Sequence, residues 1–365
     1  MKVLSVFGTR PEAIKMAPVV RMLNQSALIE SKIAVTAQHR EMLDQVLELF
    51  DIHPDYDLNL MRHGQSLSDI TTAVLHGIGE IIADEKPDLV LVHGDTSTTF
   101  AAALAAFYQQ TAIGHVEAGL RTDNKYAPFP EEINRRLTGA LADFHFAPTI
   151  GARDNLLKEN IARDKIFVTG NTVIDALLQV VDKPCLLQGI GLDDVDWSKR
   201  QILLTCHRRE NWGEPMRQIF TAVRAIAEDF TDCEIIFPVH KNPDIRRLAS
   251  EVFDGCTKIH RSEPLDYLPF SHIMNKSYLV LTDSGGLQEE APALGKPVIV
   301  LRDTTERPEA IDAGTAILAG SNNTNVYNSA ATLLSDNNKY QGMAHAVNPF
   351  GDGQAAARIL SIITG

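Results

Sequence analysis

Several charged side chains in this chain stand where an apolar run stops, and chemistry is most easily done there. Gly114-His115-Val116-Glu117-Ala118-Gly119-Leu120-Arg121-Thr122 puts Glu117 at such a stop, flanked by two glycines and followed by an arginine. A charge in that setting needs a partner or a purpose. Asp95 ends a second run, in His93-Gly94-Asp95-Thr96, ahead of Ser97-Thr98-Thr99. A lone Asp there caps the following helix more readily than it reacts, though it can also project from the strand end. Glu131, in Pro128-Phe129-Pro130-Glu131-Glu132, opens a helix running through Arg136, and by itself it reads as ordinary helix-start chemistry.

The cations follow the same rule. Arg10 lies in the turn Phe7-Gly8-Thr9-Arg10-Pro11-Glu12, and Lys15 sits about one helical turn further on. Two cations near a helix N-terminus oppose its dipole, which favours an anion between them over a merely solvated basic turn. Leu204-Thr205-Cys206-His207-Arg208 ends another run. Adjacent strand residues face opposite ways, so Cys206 and His207 do not form a nucleophile and base; His207 and Arg208 read as cationic groups facing a ligand. His240, after Pro238-Val239, reads as part of a solvated turn. Finally, Leu279–Thr282 is broken by Asp283-Ser284-Gly285-Gly286, two glycines free to take positive φ, and then by a helix expected over Leu287–Leu294 with an acidic first turn. Free N–H groups and a positive dipole end directed at one spot suit a phosphate. Arg302, Glu306 and Arg307 follow the next strand, expected over Val298–Leu301.

These residues need a frame, and the hydrophobic pattern supplies one. Strand-like runs at Val3–Phe7, Ile33–Thr36, Leu89–Val92 and Ala112–Val116 alternate with helical patterns such as Pro18–Leu23 and Leu67–Ile82. The rhythm resumes at Ile202–Thr205, Ile235–Val239, Leu279–Thr282 and Val298–Leu301. A βαβα alternation predicts parallel, doubly wound sheets whose ligand-facing turns share one edge. At 365 residues the chain fits two such domains, and a cleft between domains is a favoured ligand site. Asp182–Arg200, with Pro, Gly and an acidic run, is the expected link into the second half.

Composition removes other classes. A formal charge of −13 argues against a nucleic-acid surface. Cys185, Cys206, Cys233 and Cys256 are irregularly spaced and read as reduced thiols of a cytoplasmic protein. The apolar run Val3–Phe7 is too short for a signal peptide, and no run reaches membrane-spanning length. There is no GxGxxG with an acidic ribose ligand, P-loop, HExxH or GxSxG. The expected ligand is anionic and phosphorylated, met by carboxylates, with no redox cofactor and no metal.

Read together, the fragments FGTRPEAIKMAP (Phe7–Pro18), AQHREMLDQ (Ala37–Gln45), HGDTSTT (His93–Thr99), HVEAGLRT (His115–Thr122), FPEEINR (Phe129–Arg135), GNTVIDA (Gly170–Ala176), HRREN (His207–Asn211), DSGGLQEEAP and RDTTERPEA resemble the non-hydrolysing UDP-N-acetylglucosamine 2-epimerases over nearly the whole chain. The resemblance implies a GT-B-like fold, two Rossmann-like domains facing a cleft: residues 1–170 with a C-terminal helix at about 352–365 packing back, and residues 171–351. It implies a homodimer interconverting UDP-GlcNAc and UDP-ManNAc through 2-acetamidoglucal and UDP. Arg10 and Lys15 would belong to the nucleotide-sugar site with Asp95, Glu117, Glu131 and His207, the last four being the catalytic candidates. Ser284, Gly285 and Gly286 would hold phosphate, Glu290 the ribose hydroxyls, Phe270 would lie near the uracil, and Arg307 would contact the ligand further round. Gln38, His39, Arg208 and His240 are the candidates for a second, regulatory UDP-GlcNAc site. Cys206 and Leu265 depart from the family's pattern, the first towards a larger residue and the second from a polar one. A glycosyltransferase of the same fold, a hydrolysing epimerase and a non-catalytic UDP-sugar sensor are the rival readings.

Overall fold

Runs of Val, Ile and Leu form strands covered on both faces, as parallel strands must be. In chain order they are β1 (Lys2–Phe7), β2 (Glu30–Val35), β3 (Tyr56–Asp57), β4 (Leu89–His93), β5 (Ala112–Val116), β6 (Phe144–Ala147), β7 (Ile166–Val168), β8 (Arg200–Thr205), β9 (Cys233–Pro238), β10 (Ile259–Ser262), β11 (Leu279–Thr282), β12 (Val298–Val300) and β13 (Ala316–Leu318). The computed structural model describes residues 1–37, 40–60 and 64–365, with Arg40 and Glu41 described by their backbone alone.

Among the described residues the strands make two parallel sheets, ordered β3-β2-β1-β4-β5-β6-β7 and β10-β9-β8-β11-β12-β13. Each sheet starts in its middle, winds outward to one edge, then returns and winds to the other. The winding reverses between β1 and β4 in the first sheet and between β8 and β11 in the second. At such a switch point the loops leaving the two strands diverge, and a crevice opens at the carboxyl ends. The α/β, doubly wound class expected from the hydrophobic rhythm is therefore what the chain adopts, and its topology says where to look for ligands.

The chain divides into two compact units, Met1–Ala176 with Phe350–Gly365, and Leu177–Pro349. In the first, the helix Ser97–Tyr108 presses Ala101, Ala102, Ala103, Ala105 and Ala106 into a core with Val6, Val90 and Val92. Small side chains let that helix approach the sheet closely. The last helix, Ala355–Thr364, belongs to this unit. Buried Asp175 accepts from the backbone N–H groups of Ala355 at 3.2 Å and Ala356 at 2.8 Å, satisfying donors that a helix N-terminus leaves open. In the second unit Phe220, Phe237 and Phe253 pack at tilted and edge-on angles beneath β8 and β9. No helix among the described residues is long and apolar enough to cross a membrane.

The turn after β11 differs from expectation. The helix there runs Gly285–Ala293, beginning two residues before the expected Leu287, with Ser284 as its N-cap residue. Gly285 and Gly286 therefore take helical backbone angles, and neither has positive φ. The acidic Glu289 and Glu290 fall beyond the first turn, which holds no acid. A Cβ on Gly285 would lie 4.0 Å from the Arg307 guanidinium and one on Gly286 3.7 Å from Glu290 Oε2, ordinary contact distances.

Candidate functional site

The first unit gathers its candidates at the carboxyl ends of β1, β4 and β5, the strands around its switch point. Glu117, just past β5, has φ +62°, an uncommon angle for a residue with a side chain, costing about 1 kcal/mol. Strain of this kind persists where the surroundings over-determine it, and it gathers at functional sites. Glu117 Oε1 takes a hydrogen bond from Asn171 Nδ2 at 3.0 Å and another from Lys15 Nζ. His93 Nε2 stands 3.7 Å from Oε2. Lys15 thus meets a carboxylate, and it is not a solvated cation.

Asp95 does not cap the helix that follows it, as a lone Asp in that place would be expected to do. Thr96 does, its hydroxyl accepting from Thr99 N–H at 3.2 Å. The Asp95 carboxylate instead takes Arg135 Nη2 at 2.5 Å, and Asn134 Nδ2 donates to its backbone oxygen at 3.0 Å. Burial raises the Asp95 acid to about 6, with Glu117 adding to the rise and Arg135 and Lys15 opposing it. Glu131 opens the helix Glu131–Leu141 without a side-chain cap hydrogen bond, and its Oε2 is buried with no protein partner among the described residues. Helix-start chemistry alone does not account for such an oxygen. Arg10, the first residue of the helix Arg10–Gln25, is half-buried and makes no ion pair among the described residues.

Glu12, which motif reading passes over, holds these turns together. It is 3% exposed, and its carboxylate accepts from Gly8 N–H, Thr9 N–H, Thr96 Oγ1 and Thr99 Oγ1 at 2.6 to 3.0 Å. It therefore ties the turn after β1 to the turn after β4. Gly8 allows this approach: a Cβ there would lie 2.0 Å from Thr36 Oγ1 and 2.8 Å from Thr98 Oγ1, hydroxyls that bond each other at 2.9 Å. Gly8→Ala is expected to destabilise the protein by about 1–3 kcal/mol, as overpacking does. A lowered melting temperature would show it, and an unchanged one would mean that the turn yields freely.

The second unit gathers its candidates at the ends of β8 and β11, again at the switch point. A pocket of about 250 Å³ there is lined by Thr205, Cys206, His207, His240, Leu265, Phe270, Ser284 and Leu287, among others. No side chain caps the helix Gly285–Ala293, so its first N–H groups meet whatever lies beside Ser284. Arg307 donates to Glu289 and packs against Gly285; Tyr267 donates to Glu290 Oε1 at 2.9 Å. His207 and His240 stack with ring centres 5.9 Å apart, so exposed His240 lies in a turn but beside a candidate ring. Leu265 offers this pocket an apolar wall, and Cys206 is buried behind His207 with its thiol pushed well above the usual range by burial. Gln38 and His39 lie outside the described residues. A larger hollow of about 740 Å³ in the same unit has Pro264 and Leu265 in common with this one. Of the arginines that line it, Arg246 pairs with Glu263 and Arg261 donates to Ser250.

Sequence reading missed the partners more than the candidates. His93, Asn171, Arg135 and Asp283 each touch a candidate residue. Asn171 lies in the GNTVIDA fragment, and Asp283 is an acid directly after an apolar strand; both were visible signals.

Comparison with known proteins gives the family. Residues 21–364 match the family model described as UDP-N-acetylglucosamine 2-epimerase. The chain is 56% identical over 364 residues to a Bacillus subtilis (strain 168) protein named UDP-N-acetylglucosamine 2-epimerase, covering 99% of this chain and 94% of that one. It is 54% identical over 369 residues to the Escherichia coli K12 protein of the same name, covering 100% and 98%. A Neisseria meningitidis UDP-GlcNAc 2-epimerase crystallised with UDP-GlcNAc superposes with a TM-score of 0.87 at 50% identity, covering 100% of both chains. The two Rossmann-like units are of the GT-B-like class. Matched over nearly its whole length by the family model and by relatives more than half identical to it, this chain belongs to the UDP-N-acetylglucosamine 2-epimerase family.

Proposed function

We propose that the chain inverts C2 of UDP-GlcNAc to give UDP-ManNAc, reversibly, by eliminating UDP and adding it back. The hydrogen on C2 is not acidic, and the neighbouring C1 is locked by its bond to phosphate, so no carbonyl can hold a simple carbanion. Loss of UDP provides a route. The C2–H bond gives its proton to a base, the C1–O bond breaks with its electron pair leaving on UDP, and a C1–C2 double bond forms in 2-acetamidoglucal. Return of a proton to the other face of C2, with UDP re-adding at C1, completes the inversion without net addition of water.

Two faces of C2 require two proton-handling groups, or one that moves. Asp95, Glu117 and Glu131 form that set, with base and acid left unassigned among them. Arg10, Lys15, His207, Ser284, Gly285 and Gly286 meet the diphosphate, where negative charge grows as C1–O breaks. Glu290 takes the ribose, Phe270 lies near the uracil, and Arg307 contacts the ligand further round. What supports the reading most is the pair Asp95 and Glu117: an acid raised to about 6 beside a carboxylate held at positive φ, in a chain of this family. Such a pair holds a mixed protonation state near neutral pH. The enzyme works as a cytoplasmic homodimer that supplies polysaccharide synthesis, with no cofactor or metal of its own. A second UDP-GlcNAc, bound by Arg208 and His240 with Gln38 and His39, activates it.

Incubating the protein with UDP-GlcNAc alone in heavy water, followed by NMR, tests the route. Deuterium is expected at C2 of both sugars, with the two epimers equilibrating and no stoichiometric free UDP. Full retention of the C2 hydrogen would rule out proton removal there. UDP released one-for-one with sugar would make this a hydrolysing enzyme, and no turnover without an acceptor would make it a glycosyltransferase.

A further inference from the structure

Asp283 has no solvent exposure, yet it is an acid directly behind the pocket of the second unit. Its Oδ2 is fully supplied, accepting from His207 N–H at 2.9 Å, Arg208 N–H at 2.8 Å and Asn211 Nδ2 at 3.0 Å. Asn211 is itself fixed by donating to Leu301 O at 3.0 Å. Oδ1 takes no hydrogen bond from any of these and lies 3.2 Å from His207 Nδ1. An acid needed only to close the turn would use one oxygen. A second buried oxygen without a donor is costly, and among the described residues the ring nitrogen of His207 stands beside it, with the Cys206 thiol as the other neighbouring donor.

We propose that Asp283 is the positioning residue of His207, holding the ring with Nδ1–H inward on the carboxylate and Nε2 outward, towards the pocket shared with Ser284 and Phe270. The inference rests on the reading that His207 faces the departing diphosphate, and it adds the group that aims the ring. A carboxylate behind a histidine fixes its tautomer and stabilises its charged form. The groups facing the ring set the balance. Burial lowers its affinity for a proton, Asp283 raises it, and Arg208 and His240 lower it. The Cys206 thiol, buried against Asp283, stays neutral and adds no charge. Without Asp283 the remaining neighbours all work against protonation, and Nε2 would less readily take up a proton to share with a phosphate oxygen.

Nitrogen-15 NMR of the histidines, with the His207 signals assigned by their loss in His207→Gln, reads the ring directly. In the wild-type protein, where no variant has to fold, neutral His207 is expected as the Nδ1–H tautomer; the Nε2–H tautomer would overturn the proposal. In Asp283→Asn the His207 acid constant is expected to rise about tenfold or more, that is, its pKa falls by about one or more. The limb that His207 contributes to the pH profile of kcat/KM should move to lower pH with it. An unmoved His207 titration in the folded variant would also overturn the proposal. A titration that moves while the kcat/KM profile stays put would uphold the Asp283–His207 pairing and remove His207 from the reaction.

Discussion

Replacing Glu117 by glutamine is expected to lower kcat by about 10²–10⁴-fold, the usual loss when a positioned proton-transfer group is removed, while UDP affinity changes little. Glutamine has almost the same shape, and the local geometry favours one amide orientation. Its carbonyl oxygen would keep the Asn171 and Lys15 donors that now meet Oε1, and its NH2 would fall on the side of His93 Nε2. The variant therefore deletes a negative charge and a proton acceptor with little change in contact. Some stability should go as well, because half-buried Lys15 loses its counter-charge. A melting curve separates that loss from the catalytic one. UDP affinity, assigned mostly to groups of the other unit, serves as the control and should stay within a few-fold of wild type. Conversion of UDP-GlcNAc followed by NMR measures the effect. Turnover at the wild-type rate would take Glu117 out of the proton-handling set.

Why Glu117 was legible and its partners were not is a matter of distance along the chain. A carboxylate at the end of an apolar strand is a local anomaly, visible in one fragment. Lys15, His93 and Asn171 reach it from three other fragments, and only the lateral order β1-β4-β5-β6-β7 brings together the strand ends that they follow. The same split runs through the fold. Runs such as Val3–Phe7, Ala112–Val116 and Leu279–Thr282 are apolar and β-branched enough to be read as strands, and they shift by one residue at most. The short strands β3, β6, β7, β10 and β13 went unread. Two to four residues long, several of them carrying His, Arg or Asp, they present no period to detect. Asp283-Ser284-Gly285-Gly286 misled in the opposite direction. Two consecutive glycines suggest an irregular turn, yet here they begin the helix Gly285–Ala293, with Ser284 as its N-cap residue. Asp283 gives no local sign of its place, since nothing nearby in sequence shows that its second oxygen faces a histidine ring.

Acidification should loosen the first unit well before the second. His93, at the end of β4, His115 in β5 and His145 in β6 lie on neighbouring strands, with Val92 paired to His115 and His115 to His145. All three are at most 3% exposed, and burial lowers them to about 4, 3 and 4 respectively. Their folded values lie below the unfolded value of about 6.5. The unfolded chain therefore takes up protons first, and the stability these rings contribute above pH 6.5 is lost as pH falls towards 4. Asp95 runs the other way. Raised to about 6, its contribution is complete below its unfolded value of about 3.9 and is lost as pH rises through 6, so it offsets part of the loss on acidification. At pH 5 the three rings together cost about 6 kcal/mol and Asp95 returns about 1–2, leaving a loss on the order of 4 kcal/mol. For a unit of this size that is roughly 10 °C in melting temperature. Hydrogen exchange read peptide by peptide at pH 7 and pH 5, corrected for intrinsic rates, should show β4, β5 and β6 losing protection while β8 and β11 keep more of theirs. His145→Gln, with no group to titrate, should remove about a third of the histidine contribution to the pH dependence. A wild-type protein equally protected at both pH values would mean that the buried rings are already solvated.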